Sequence, residues 1–279
     1  MKERTVLRNN KDKRNRAIGV FDSGIGGLTV LREIKGILPR EDIIYFGDTA
    51  RVPYGTKSKA TVTKFAIQVA DFLVDLKVKV IVVACNTASS FGLHALKRRY
   101  NIPVIGVIKA GARRAVSATK NMRIGVIGTK ATVSSGVYEK AIKRLNSGVN
   151  IISVSCPLFV PLVEENWLKG DVTRKAAERY LNPFKKKNID TLILGCTHYP
   201  LLRPIIRETL GNDVRLIDSA KATAEEVKKV LHDKEIYKKK TNKAEYSFYV
   251  SDEPKPFKNI GGKFLGSSIN SVKKVEIDA

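Results

Sequence analysis

The chain has 279 residues, enough for two medium domains or one large one. Hydrophobic residues make up 43%, too many for a disordered chain, and no apolar run approaches the roughly 20 residues that span a bilayer. Fifty-one Lys and Arg against 27 Asp and Glu leave a formal charge of +24. Such a charge attracts nucleic acid, anionic lipid or anionic metabolites, but here the cations are scattered, as on a solvated Lys-rich surface. Readers of nucleic acid usually interleave aromatics with their basic residues, and no such pattern is seen. Three cysteines, Cys85, Cys156 and Cys196, are too few for a disulfide scaffold and odd in number, so reduced thiols in the cytoplasm are expected.

Residues 1–16 carry seven Lys or Arg and no apolar h-region, and read as a disordered basic arm rather than a secretory signal. Strands and helices then alternate. AIGVF (17–21) reads as a strand, LTVLREIKGIL (28–38) as a helix and DIIYFGD (42–48) as a second strand. KATVTKFAIQVADFLVDL (59–76) has a helical apolar stripe. VKVIVVA (78–84) is the unbroken β-branched run of a strand buried on both faces. SSFGLHALKRRY (89–100) continues as helix and IPVIGVI (102–108) as strand.

The series then restarts. MRIGVIG (122–128), NIISVSC (150–156), DTLILG (190–195) and VRLID (214–218) read as strands. ATVSSGVYEKAIKRL (131–145), VTRKAAERYLNPFKK (172–186) and PLLRPIIRETL (200–210) read as helices. IGV recurs at an offset of 106, from Ile18 to Ile124, and the strand-to-Cys junction at an offset of 111, from Cys85 to Cys196. The expectation is therefore an α/β fold of two similar domains, each a mostly parallel sheet flanked by helices, with the site in the cleft between them. The first would comprise 17–112 plus 222–279, including a helix (AEEVKKVL) and an edge hairpin (AEYSFYVSD); the second would comprise 113–221.

In open parallel sheets, ligands bind beyond the carboxyl ends of the strands. Four clusters of polar or reactive residues lie there: DSGIGG (22–27), DTARVPYG (48–55), ACNTASS (84–90) and GCTHYP (195–200). Cys85 and Cys196 each sit where a buried strand meets a helix N-terminus, whose free N–H groups favour thiolate over thiol. Cys156 precedes Pro157 without polar company and reads as a small buried hydrophobe. Two mirrored thiols argue against a lone Cys–His nucleophile, and no zinc-ligand spacing is present. They suit proton exchange at a stereocentre, where one thiolate takes a proton from one face of a carbon and the opposite thiol returns one to the other. In DSGIGG, Thr29 stands where a dinucleotide fingerprint has its third glycine, so the turn reads as a carboxylate cradle. Asp22 would orient a base or grip an ammonium group. Asp48 reads as a capping residue, and His94 and His232 as surface or satisfied core residues. His198 stands apart, being two residues after Cys196.

At these residues the chain resembles the glutamate racemases, within the aspartate/glutamate racemase superfamily. The matching segments are IGVFDSGIGGLTV, YFGDTARVPYGTKS, VVACNTASS, GTKATVSSGVY, CPLFVPLVEE and ILGCTHYPLL, in order over roughly residues 17–220, with FLG of GGKFLG near the C-terminus. KAGA at 109–112, at the domain crossover, departs from the pattern by lacking a proline before the glycine. The resemblance implies a PLP-independent, metal-free isomerase, with no cofactor, that interconverts L- and D-glutamate and supplies D-glutamate for peptidoglycan. It implies that Cys85 and Cys196 are the proton donor/acceptors, and that Asp22, Glu164 and His198 tune them. It implies substrate contacts at Asp22, Ser23, Tyr54, Gly55, Asn86, Thr87, Thr197 and His198. The expected partner is glutamate; a homodimer is left open, a membrane is not expected, and nucleic acid remains the alternative partner of the basic surface. The competing activities are an aspartate or hydantoin racemase of the same superfamily, or a basic nucleic-acid-binding protein.

Overall fold

The structure is a computed structural model that describes residues 13–239 and 243–277. In chain order the first half runs β1 (Ile18–Asp22), α1 (Leu28–Ile37), β2 (Ile43–Gly47), α2 (Lys59–Asp75), β3 (Val80–Val83), α3 (Asn86–Phe91), α4 (Leu93–Arg99) and β4 (Val104–Gly106). Helix α5 (Val107–Ala118) crosses to β5 (Arg123–Gly128), α6 (Lys130–Ser134), α7 (Val137–Leu145) and β6 (Asn150–Ser155). There follow α8 (Phe159–Glu164), α9 (Asp171–Lys186), β7 (Thr191–Gly195), α10 (Arg203–Leu210) and β8 (Arg215–Ile217). The chain ends with α11 (Ala220–Asp233), β9 (Tyr246–Val250), α12 (Pro254–Leu265) and β10 (Lys273–Lys274).

Two all-parallel sheets result, of order β10-β9-β2-β1-β3-β4 and β6-β5-β7-β8. Burial on both faces explains the unbroken apolar strands. In β3, Val80 and Val82 enter the apolar cluster that runs through both halves, while Ile81 and Val83 enter a second cluster on the other face, against α2. The same period of two divides Ile18 and Val20 from Phe21 in β1.

Several boundaries differ from expectation. The helix expected over 89–100 breaks at Gly92, and that over 131–145 breaks at Gly136, which adopts φ +61 between α6 and α7. The expected edge hairpin is instead the single strand β9, parallel to β2, followed by α12 and by β10 parallel to β9. Helix α11, packed on α1, brings the chain from β8 of one sheet to the edge of the other, and α12 separates β9 from β10, so no tight turn joins two antiparallel strands there. In the basic head, residues 1–12 lie outside the described residues, but Lys13–Arg16 are not the free arm expected. Arg14 Nε donates to Glu235 O at 2.9 Å, and Lys79 Nζ donates to Arg14 O at 2.9 Å. Lys79 is a buried cation paired with Glu41, and the Arg14 carbonyl satisfies a second of its protons.

Candidate active site

Both sheets reverse their winding at the first strand of each half. From β1 the chain steps to β2 on one side and then to β3 on the other; from β5 it steps to β6 and then to β7. The crevices beyond β1/β3 and β5/β7 are therefore the topological switch points where such sheets bind ligands. Asp22 and Ser23 leave β1 and Cys85 follows β3; Thr129 follows β5 and Cys196 follows β7.

Cys85 is the N-cap of α3, and its Sγ accepts from Ala88 N at 3.4 Å and lies 3.6 Å from Ser23 Oγ. The helix N-terminus was expected to lower this thiol. Burial outweighs it: desolvation, then the negative charge of Asp22, push Cys85 up to about 12, against the Ala88 and Ser23 hydrogen bonds. Charge on Cys196 adds to the rise, so the second sulfur is felt at the first. Asp22 is itself buried. Its carboxylate accepts from Gly24 N at 3.1 Å and, across the cleft, from Thr197 Oγ1 at 3.3 Å. Burial raises it above the ordinary carboxylate value, against the opposing pull of His198 and of the Gly24 and Gly27 N–H groups.

On the facing side, Cys196 Sγ lies 3.7 Å from His198 Nδ1, and His198 Nε2 lies 3.1 Å from Glu164 Oε1 at the end of α8. Burial disfavours the imidazolium, but the hydrogen bonds to Cys196 and Glu164 and their negative charges outweigh it and raise His198 to about 10. Cys196, His198 and Glu164 thus form a line of acid–base groups.

Other contacts join the two halves. Thr87 Oγ1 lies 2.9 Å from Thr129 Oγ1 and 3.2 Å from Thr132 Oγ1, and Tyr138 donates to Asn86 Oδ1 at 2.7 Å. Two glycines permit the close approach. A Cβ on Gly26 would overlap Thr197 Oγ1 and lie 2.8 Å from His198 Nδ1, and one on Gly55 would lie 2.5 Å from Thr129 Cβ. Asp48 is buried behind Gly55. It accepts from Tyr54 and Ser251 hydroxyls and from Arg51 Nε, so it fixes the 51–56 turn.

The structure thus gathers Asp22, Ser23, Cys85, Asn86, Thr87, Gly55, Glu164, Cys196, Thr197 and His198 around one cleft, with Tyr54 held beneath by Asp48. Cys156 is buried apart, its Sγ 3.7 Å from Val154 O, and His94 and His232 are exposed. Thr129, Thr132 and Tyr138 were not singled out from sequence; the available signal was Thr129 as a helix N-cap three residues before Thr132. Among the described residues, no group of three or more His, Cys, Asp or Glu is placed to hold a metal ion.

A family model of Asp/Glu/hydantoin racemases matches residues 18–227. The chain belongs to this family. It is accordingly an isomerase. Curated members similar to it include the glutamate racemases of Geobacter metallireducens, 50% identical, and Neisseria meningitidis, 49% identical. Each match spans 95% of this chain and 98% of the relative. Among solved structures, glutamate racemase from Francisella tularensis in complex with D-glutamate is 43% identical, with a TM-score of 0.90. That match covers 95% of this chain and 99% of the other. Among the described residues, no helix of this racemase-family chain is long and apolar enough to cross a membrane.

Proposed function

We propose that this chain interconverts L- and D-glutamate using its own thiols, with Cys85 and Cys196 working from opposite faces of Cα. The carrying observation is the pair of buried cysteines at equivalent switch points of two like sheets, joined across the cleft by Thr197 and Asp22. The choice of glutamate rests on the relatives: the Francisella structure holds D-glutamate, and an Escherichia coli glutamate racemase, 28% identical, holds L-glutamate and an activator, UDP-MurNAc-ala.

In each turnover, the thiolate on one side takes the Cα proton and becomes a thiol. The electron pair delocalises into the α-carboxylate, and the thiol on the other side gives its proton to the opposite face. No net proton is consumed, and the enzyme is left poised for the reverse reaction. Because a Cα–H is a very weak acid, the developing charge needs dense donors in a dry cleft. The N–H groups opening α3 and α6 and the hydroxyls of Ser23, Thr87, Thr129, Thr132 and Thr197 supply them, with Asn86, Tyr54 and Gly55 completing the wall. Asp22 receives the α-ammonium group. His198, held by Glu164, exchanges charge with Cys196. The D-glutamate formed serves peptidoglycan synthesis in the cytoplasm.

Circular dichroism of L-glutamate in deuterated buffer, with purified protein and no added cofactor, tests the reading. The optical signal should decay to zero, with deuterium at Cα of the inverted product. A persistent signal with glutamate but decay with aspartate or a hydantoin would move the substrate within the family. Inversion without deuterium would overturn the two-thiol exchange.

A further inference from the structure

Helix α12 belongs by packing to the first half: it lies on α1, and Arg32 Nη1 of α1 donates to Phe264 O at 3.4 Å. Its last turn nevertheless reaches the acid–base line of the second half. Phe264 is fully buried, with its ring 5.7 Å from the His198 imidazole, centroid to centroid, and inclined at 80°. One residue earlier, Lys263 Nζ donates to Asn166 Oδ1 at 2.7 Å. Asn166 sits two residues after Glu164 in a left-handed conformation of φ +60, where the chain leaves α8. The same turn of α12 thus touches the imidazole and the loop that follows its carboxylate partner. The helix stops there, at Gly266 in φ +75, and Gly261 lets it approach Leu28 so closely that a Cβ would lie 3.0 Å from Leu28 Cδ1.

An imidazole is held by two hydrogen bonds only if its ring plane is fixed. Cys196 and Glu164 take the two nitrogens of His198 and leave the ring free to tilt about the line joining them. An aromatic ring in edge geometry blocks that tilt and excludes water from the pair. We propose that Phe264 is a positioning residue for His198, and that Lys263 braces the Glu164 loop, so that the C-terminal helix of one half orients the acid–base line of the other. This rests on the reading that Cys196 is one of the two proton-transfer groups.

The chain has three histidines, and His94 and His232 are exposed, so imidazole nitrogen NMR can follow His198 with two internal controls. The facing groups are Cys196 and Glu164 at its nitrogens, Asp22 across the cleft and the neutral Phe264 ring. In Phe264→Leu, which keeps apolar volume, the His198 midpoint should fall from about 10 toward the ordinary 6.5, with His94 and His232 unmoved. Racemisation kcat/KM should fall about 10- to 100-fold. It should fall equally from both enantiomers, whose free energies are the same. Lys263→Ala, at an exposed position that cannot empty the core, should move both readouts in the same direction by a smaller amount. Unchanged His198 titration in folded Phe264→Leu overturns the proposal, whether or not activity falls, because lost activity alone would mark a merely structural role. Failure of the underlying reading is separate: the wild-type protein would then show no racemisation while the titration still answered for the clamp.

Discussion

At the end of β3, Cys85 faces a serine hydroxyl in the field of the buried Asp22 carboxylate. At the end of β7, Cys196 faces an imidazole braced by Glu164. The two sulfurs occupy like places on like sheets, but one has an anion and the other a potential cation for company. Repeating a fold repeats the position of a thiol at a switch point, and the side chains that tune it must be supplied separately. Cys85 rests as a neutral thiol because burial and Asp22 both oppose its ionisation. Under the proposed reaction, the substrate ammonium group is the charge that releases it, whereas His198 is a titratable cation of the protein's own beside Cys196.

The largest effect should come from removing either sulfur. Cys85→Ala and Cys196→Ala should each lower racemisation of both enantiomers by about 10⁴-fold, the upper range for loss of one acid–base group. Residual Cα deuteration should be confined to one enantiomer in each variant, and to opposite ones. The same enantiomer exchanging in both variants would break the facing arrangement.

His198→Asn should separate the two sides next. Folding raises this imidazole from the ordinary 6.5 to about 10, so it contributes stability that is fully present below pH 6.5 and lost as pH rises through about 10. Denaturation of the wild-type protein and the variant across that range should show a gap of a few kcal/mol in acid that closes toward pH 10. A gap independent of pH would deny the imidazolium. Gly26→Ala should follow, with activity reduced about 100-fold and a lowered melting temperature. The new methyl group would overlap Thr197 Oγ1 and crowd the buried His198 ring, so the two halves must part to admit it.

What could be read in advance follows the same division. VKVIVVA and DTLILG declare buried parallel strands, and the offset between Cys85 and Cys196 pairs their ends, because those signals are local or repeated. Helix α5 was hidden since its first two residues, Val107 and Ile108, continue the apolar run of β4 without a break in polarity. Helix α8 is six residues long with Pro161 inside it, so nothing local announced that it would present Glu164 to His198. The hydroxyls of Thr87 and Thr129 are 42 residues apart in sequence and 2.9 Å apart in space, and only the joining of the two halves brings them together.

The third cysteine sets the scale for the other two. Cys156 also ends a strand in the second sheet, but β6 is an edge strand, so the residue lies away from the β5/β7 crevice. Its sulfur is buried, with Val154 O at 3.7 Å, and its own carbonyl accepts from Tyr199 OH at 2.9 Å. Burial, then charge on Cys196, raise it above the ordinary thiol value, as burial and Asp22 raise Cys85. A raised thiol therefore does not by itself mark a catalytic group in this molecule; under the proposed reaction, position at the switch point does. Cys156→Ala keeps the backbone carbonyl for Tyr199 and removes one sulfur from a packed site. It should destabilise by about 1–2 kcal/mol in urea unfolding and leave kcat/KM within about twofold. A loss of turnover comparable to that of Cys85→Ala would show that strand-end position does not distinguish the working thiols from the packed one.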